Sequence, residues 1–222
     1  MNGKLRLHSY WRSSASYRVR IALNLKGLAY QCVPVHLTRD GGEQHAEEFL
    51  AVNPAGLVPV FQHGERIVRQ SLAIIEYLDE VHPSPPLLPE VARDRARVRG
   101  LAQLVACDIH PLANLRVMQY LEHTLGVGED ARLAWTQHWI ASGLAAFEAS
   151  VFDHPSTGDF CEGDIPTMAD CCLVPQLYNA RRFNLDLSPY PTLCRIEQRC
   201  LELRAFQDAR PENQPDAPAT HH

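Results

Sequence analysis

The sequence predicts a mixed α/β domain of order βαβαββα followed by an all-α domain. Three observations lead there. Up to about residue 82, short apolar runs of strand type alternate with segments of helical period. Four prolines fall within Pro83-Ser84-Pro85-Pro86-Leu87-Leu88-Pro89, which forbids a helix and stiffens the chain into a connector. From about residue 92 to 206 nearly every segment has a helical period. The expected division is an α/β domain over 1–82, a linker over 83–91, a helical domain over 92–210 and a loosely held, proline- and polar-rich tail over 211–222.

Each element has a local reason. Leu5 and Leu7 alternate with Lys4 and Arg6 as a half-buried strand. Ser13 or Ser14 can cap the next helix, Val19, Ala22 and Leu23 form its apolar stripe, and Gly27 stops it. Residues 30–37 read as the second strand, with Pro34 marking an interruption or a sheet edge. Residues 43–51 form a short polar helix or irregular segment, ended by the turn Asn53-Pro54-Ala55-Gly56. Residues 58–61 and 66–69 pair as a hairpin around His63-Gly64-Glu65, and Ser71 caps a helix to about Val81. A βαβ unit joined to a hairpin implies a mixed sheet. Beyond the linker, helices are expected over 93–110, from Pro111 to about 125 and over 131–152. Thr167-Met168-Ala169-Asp170 is a capping box opening an apolar helix, and Pro191 starts another helix of about four turns.

Of 222 residues, 45% are hydrophobic and 21% charged, the balance of a folded globular chain and not of a disordered one. No apolar run reaches the ~18–20 residues of a membrane span, and the first residues lack the apolar core of a signal peptide, so the expected location is the cytoplasm with no membrane partner. Seven cysteines without a CxxC pair or zinc-ligand spacing are expected as reduced, mostly buried thiols, with no metal site. Acidic residues exceed basic ones by 26 − 21 = 5, which argues against nucleic acid as a partner. Arg93, Arg95, Arg97 and Arg99 scatter around a helix and read as a solvated face. No role is assigned to His221 and His222.

Three local arrangements have a chemical use. Arg12-Ser13-Ser14-Ala15-Ser16-Tyr17 joins strand one to helix one, where unpaired N–H groups and the helix dipole favour an anion and a serine hydroxyl can donate to a thiolate or carboxylate. The same serines serve equally as plain caps. Leu57-Val58-Pro59 precedes the hairpin. A proline there, if cis, exposes the backbone N–H and C=O of Val58 to a peptide-like ligand. Gln70-Ser71 opens the last helix of the domain with an amide, a hydroxyl and free N–H groups, either as a carboxylate site or as a cap.

In this order and spacing the three arrangements resemble the thioredoxin-like, glutathione-binding domain of the glutathione transferases, and the linker and helical remainder fit that family's fold. Four stretches resemble the zeta class, whose characterised members are maleylacetoacetate and maleylpyruvate isomerases. They are Tyr10-Trp11-Arg12-Ser13-Ser14-Ala15-Ser16-Tyr17-Arg18-Val19-Arg20-Ile21-Ala22-Leu23, Gln70-Ser71-Leu72-Ala73-Ile74-Ile75-Glu76-Tyr77-Leu78, Ala106-Cys107-Asp108-Ile109-His110-Pro111, and Thr167-Met168-Ala169-Asp170 with Leu173-Val174-Pro175-Gln176. The resemblance runs from about Leu5 to Asp216. One departure matters: the zeta pattern is usually Ser-Ser-Cys, and Ala15 stands at the cysteine position.

The resemblance implies glutathione as cofactor and cis–trans isomerisation of a maleyl diacid in aromatic-compound catabolism. The glutathione thiolate adds reversibly, the former double bond rotates, and elimination releases the fumaryl isomer. It assigns Ser13, with Ser14 as its neighbour and alternative, to the sulfur. Gln70 and Ser71 would hold the γ-glutamyl end, Val58 beside Pro59 would pair with the cysteinyl backbone, and Gln44 would approach the glycyl end. His110 and Asn114 would border the pocket, unless His110 merely caps a helix broken by Pro111. Arg12, Arg116 and Arg182 would bind the carboxylates of a small dicarboxylate, with Arg181 directed elsewhere. A homodimer is implied as well. Two other readings stay open: a glutathione transferase that conjugates or dehalogenates small α-halo acids, and a non-catalytic binding protein that keeps the fold.

Overall fold

The computed structural model describes residues 3–218, so His221 and His222 lie outside the described residues. The chain groups into two compact units, one running through Leu87 and resuming at Leu201, the other spanning Leu88–Cys200.

The first unit begins with β1 (Leu5–Ser9), α1 (Ser14–Leu25), β2 (Gln31–Pro34), α2 (Glu47–Val52), β3 (Val60–His63), β4 (Arg66–Arg69) and α3 (Ser71–Val81). The sheet is mixed, in the order β2-β1-β3-β4, with β2 parallel to β1 and the hairpin antiparallel. Leu7, Val19, Ile21, Leu23, Phe61, Ile74 and Leu78 have no exposed surface, and α1 packs against α3. β3 starts at Val60, not at residue 58, because Pro59 has no N–H to give a ladder. Helix α1 ends in a Schellman turn: Gly27 at φ 63 donates to the Asn24 carbonyl and Leu28 to that of Leu23. The Lys26 ammonium is fully buried there, donating to Asp79 Oδ1 at 2.8 Å and to the carbonyls of His82 and Pro85 at 2.6 and 2.8 Å, which pins the proline-rich connector.

Register decides where the chemistry-bearing loops leave. Ser9 faces Pro34, His8 faces Val60, and Val60 faces Arg69. The C-terminal ends of β1, β2 and β4 and the N-terminal end of β3 therefore share one end of the sheet. Residues 10–13, the loop carrying Gln44, the Val58-Pro59 bond and Gln70-Ser71 all depart from that end.

The second unit comprises α4 (Ala92–Gln103), α5 (Leu115–His123), α6 (Glu129–Val151), α7 (Met168–Arg182) and α8, which begins at Pro191 and ends at Leu201. The expected helix through residue 110 widens into a π-helical turn over Leu104–Ile109 and tightens into a 3-10 turn over His110–Ala113, since Pro111 cannot supply the N–H that would continue it. Asp170 is fully buried in the capping box: Oδ2 accepts from Thr167 N–H at 2.7 Å and its hydroxyl at 2.9 Å, and Oδ1 accepts from Cys161 N–H at 2.9 Å. Arg97 departs from the expected solvated face. It donates to the Cys161 carbonyl at 2.7 Å and Thr157 Oγ1 at 2.9 Å and pairs with Glu162, fastening the loop between α6 and α7.

The segment after α8 returns to the first unit. Helix α9 (Arg204–Asp208) lies against α1, with Phe206 fully buried and Asn24 Nδ2 donating to the Ala205 carbonyl at 3.0 Å. The composition of residues 211–218 suggests loose attachment, yet Pro211 is buried and Asp216 accepts from the Trp11 N–H at 2.9 Å. The Trp11–Asp216 bond spans 205 residues and leaves no local pattern, while Asn213 Nδ2 and Gln214 Nε2 donate to the nearby carbonyls of Gln207, Asp208 and Arg210.

Candidate active site

Residues 10–13 make a turn closed by Ser13 N–H donating to the Tyr10 carbonyl at 2.9 Å. Ser13 is the N-cap of α1, with extended backbone (φ −71, ψ 117), and its Oγ accepts from Ser16 N–H at 3.2 Å. One lone pair is thus committed to the cap, while the hydroxyl proton is left to donate. The N–H groups of Ser14 and Ala15 have no backbone partner among the described residues, so two donors and the positive end of the dipole point out of the helix. Ser14, the first helical residue, is 9% exposed. Arg12 precedes them with its guanidinium carbon 5.5 Å from the centroid of the Trp11 ring.

At the same sheet end the Val58-Pro59 bond is cis, and the N–H and C=O of Val58 have no backbone partner among the described residues. Gln70, and not Ser71, is the N-cap of α3. Its φ of 72 and ψ of 122 turn the chain from β4 into the helix within this single residue. A non-glycine residue in that region costs of order 1–3 kcal/mol and points to function. Ser71 instead opens the helix, and its buried Oγ accepts from Arg18 Nη1 at 3.1 Å. Gln44 is buried. Its Nε2 donates to the Leu37 carbonyl at 3.2 Å, and its Oε1 has no partner. Gly42 beside it holds φ 103, a conformation that side chains rarely adopt, and a Cβ there would also displace the Gln44 amide, 2.4 Å away.

In the second unit, His110 opens the 3-10 turn, and Asn114 caps α5 with its Oδ1 accepting from Arg116 N–H at 3.2 Å. The cap places Arg116 in the first turn of α5, exposed. Near the end of α7 the two adjacent arginines part. Arg181 makes a bidentate pair with Glu197, with Nη1 to Oε1 at 2.6 Å, while the Arg182 guanidinium lies 4.7 Å over the Phe183 ring and its Nη1 is 3.4 Å from Asn179 Oδ1.

Two residues that sequence reasoning passed over belong to the framework of this site. Arg18 holds Ser71, as above. Arg20, with no exposed surface, donates from Nε to the Ala209 carbonyl at 3.0 Å, from Nη1 to Ser9 Oγ at 3.2 Å and from Nη2 to the Trp11 carbonyl at 3.0 Å. Burial lowers its guanidinium to about 10, which still leaves it charged near neutrality, and burial raises the facing Tyr30 phenol to about 12. The signal was present: two arginines among the buried residues 17–23 of α1 must find acceptors or unfold it.

Residues 7–86 match the family model described as the glutathione S-transferase N-terminal domain. A curated relative from Vibrio cholerae, named a probable maleylacetoacetate isomerase, is 52% identical over 211 residues, covering 95% of this chain and 97% of that protein. The holo structure of a maleylpyruvate isomerase, described as a bacterial zeta-class glutathione S-transferase, aligns with a TM-score of 0.93 at 47% identity, over 96% of this chain and 100% of that one. A maleylacetoacetate isomerase from Anaeromyxobacter dehalogenans, with dicarboxyethyl glutathione and citrate bound in its active site, aligns with a TM-score of 0.86 at 47% identity, over 97% and 98% of the two chains. With a matching fold, near-complete coverage and about half its residues shared, the chain belongs to the zeta-class glutathione transferases, the family of the maleylacetoacetate and maleylpyruvate isomerases.

Proposed function

We propose that the protein is a glutathione-dependent isomerase that converts a maleyl diacid, maleylacetoacetate or maleylpyruvate, into its fumaryl isomer. The observation that carries this reading is the convergence, at one end of the sheet, of the open N-terminus of α1 with Ser13, the unpaired backbone of Val58 and the strained Gln70 at the head of α3. Those groups fit a tripeptide thiol. Val58 beside Pro59 can pair with its cysteinyl backbone, Gln70 and Ser71 can hold its γ-glutamyl carboxylate, and the buried, unpartnered Oε1 of Gln44 can accept its glycyl N–H.

Bound glutathione supplies a sulfur nucleophile that adds reversibly to the cis double bond and leaves after rotation. The chain's part is to keep the sulfur ionised and the diacid in place. Each unit of lowering from a thiol pKa of about 8.5 requires about 1.4 kcal/mol of preferential thiolate stabilisation. The Ser13 hydroxyl, with Ser14 as its neighbour, and the two unpaired N–H groups of α1 are of a size to supply one or two such units. Arg12, Arg116 and Arg182 bind the substrate carboxylates through planar, permanently charged forks. His110 and Asn114 border the glutathione. With Ala15 at the usual cysteine position, glutathione is the one thiol this chemistry uses.

Purified protein incubated with each cis diacid and substoichiometric glutathione tests the reading. Loss of the cis chromophore over many turnovers, with glutathione undiminished, is expected for at least one of them. Turnover of neither, together with stoichiometric glutathione consumption by a small chloroacid, overturns it in favour of transfer chemistry. The reading includes a homodimer in the cytoplasm, to be checked by light scattering for twice the 25.0 kDa chain mass.

A further inference from the structure

We infer that Asp216 is a positioning residue of the active site, acting through the Trp11 peptide to hold the turn that presents Arg12 and Ser13. The inference rests on the functional reading above. The turn has one internal hydrogen bond, from Ser13 N–H to the Tyr10 carbonyl, and so does not define its own tilt. Two charged side chains define it from outside. The Trp11 N–H donates to Asp216 Oδ2 at 2.9 Å, and the Trp11 carbonyl accepts from Arg20 Nη2 at 3.0 Å. Arg20 Nη1 reaches the preceding residues as well, at Ser9 Oγ (3.2 Å) and the Tyr10 carbonyl (3.4 Å), while its Nε is fixed on the Ala209 carbonyl.

Both backbone groups of one turn residue are therefore gripped by opposite charges, one of them 205 residues away in sequence. The grip is partly withdrawn from water. Arg20 has no exposed surface, and the second oxygen of Asp216, Oδ1, is buried without a partner. Charge-assisted hydrogen bonds in such surroundings are stronger and more directional than exposed ones. The lever arms are short: Ser13 lies two residues beyond Trp11, and the Arg12 guanidinium rests 5.5 Å from the Trp11 ring. A tilt of this peptide moves the hydroxyl meant for the sulfur and the fork meant for a carboxylate together.

Asp216→Ala and Asp216→Asn in the full-length protein test the inference with two readouts that need no turnover. In Asp216→Ala, hydrogen exchange at the Trp11 amide should accelerate at least tenfold while the strands of the sheet keep their protection, and the fraction of bound glutathione present as thiolate at neutral pH, read by ultraviolet absorbance, should fall. Displacement of a reacting group by about an ångström costs up to about a hundredfold, so kcat/KM for the diacid should drop about ten- to a hundredfold, with part of the loss in KM. Asp216→Asn keeps an acceptor for the N–H and should recover most of all three. Faster Trp11 exchange with wild-type thiolate fraction overturns the inference, as does unchanged Trp11 exchange, or a loss of protection spread over the whole sheet that Asp216→Asn shares. If the wild-type protein isomerises neither diacid, the functional reading fails by itself, and the exchange and thiolate measurements still decide the role of Asp216.

Discussion

In the proposed function Ser13 uses one hydroxyl twice, its lone pair on Ser16 N–H and its proton toward the glutathione sulfur. Ser13→Ala should therefore cost about 1 kcal/mol of stability through the lost cap and, separately, raise the pKa of bound glutathione by about one unit. Thermal unfolding and thiolate titration read the two losses independently, and Ser14→Ala should leave the first untouched. The two arginines at the end of α7 give a paired test. Arg182→Ala should raise KM for the diacid about ten- to a hundredfold, the loss of a charged hydrogen bond worth about 1.5–3 kcal/mol. Arg181→Ala should leave KM alone and lower the thermal midpoint, because Glu197, whose side chain is 6% exposed, would lose its partner. The resemblance names Arg182 and directs Arg181 elsewhere, but the partner that occupies Arg181, Glu197 on the next helix, left no signal next to it in the sequence. A helix-capping serine was legible at Gln70-Ser71 too, although the cap position proved to be Gln70, the single residue between β4 and α3.

At the scale of elements, helix ends carry much of the specificity of this fold. Asp170 joins the head of α7 to the Cys161 backbone with every one of its acceptor bonds buried, and burial raises its carboxyl against the pull of those N–H donors. Asp170→Ala should destabilise the protein by about 2–4 kcal/mol in urea unfolding, leaving three buried donors unsatisfied, while glutathione affinity holds. The capping box announced this end in four residues, whereas the bond to Cys161 joins it to a loop with no periodic signal. The tail of α3 is where acid should act. His82 lies against His63, with ring centroids 6.4 Å apart, and near the buried Lys26 ammonium and Asp79. Burial first, then His63 and Lys26, lower its pKa below 6.5. A histidine depressed in the fold binds its proton more readily when unfolded, so its contribution is complete above about 6.5 and is lost as pH falls through the lower folded value. The midpoint of thermal unfolding should fall more steeply on mild acidification in the wild type than in His82→Gln, and equal slopes would assign the sensitivity elsewhere.

For the whole molecule, thiol accessibility offers a global check on the packing. Cys107 is exposed, whereas Cys161, Cys171, Cys172 and Cys200 are buried, and burial pushes the thiols of Cys161 and Cys200 well up. Iodoacetamide at mildly alkaline pH should mark Cys107 in the native protein and reach the other four only after unfolding, as peptide mass spectrometry would show. The element order and the proline connector could be read from the sequence because strand alternation, helical period and proline are local signals. Residues 201–218 could not be assigned to the α/β unit from sequence, since what draws them there is Phe206 under α1 and the ligands of Arg20 at Ala209 and of Trp11 at Asp216, contacts spanning nearly the whole chain. That discontinuity governs the timing of synthesis. A ribosome that has released residues 1–87 has made four strands and three helices, yet a charged guanidinium among them still awaits a carbonyl to be translated more than a hundred codons later. The first unit to emerge is the last to be completed.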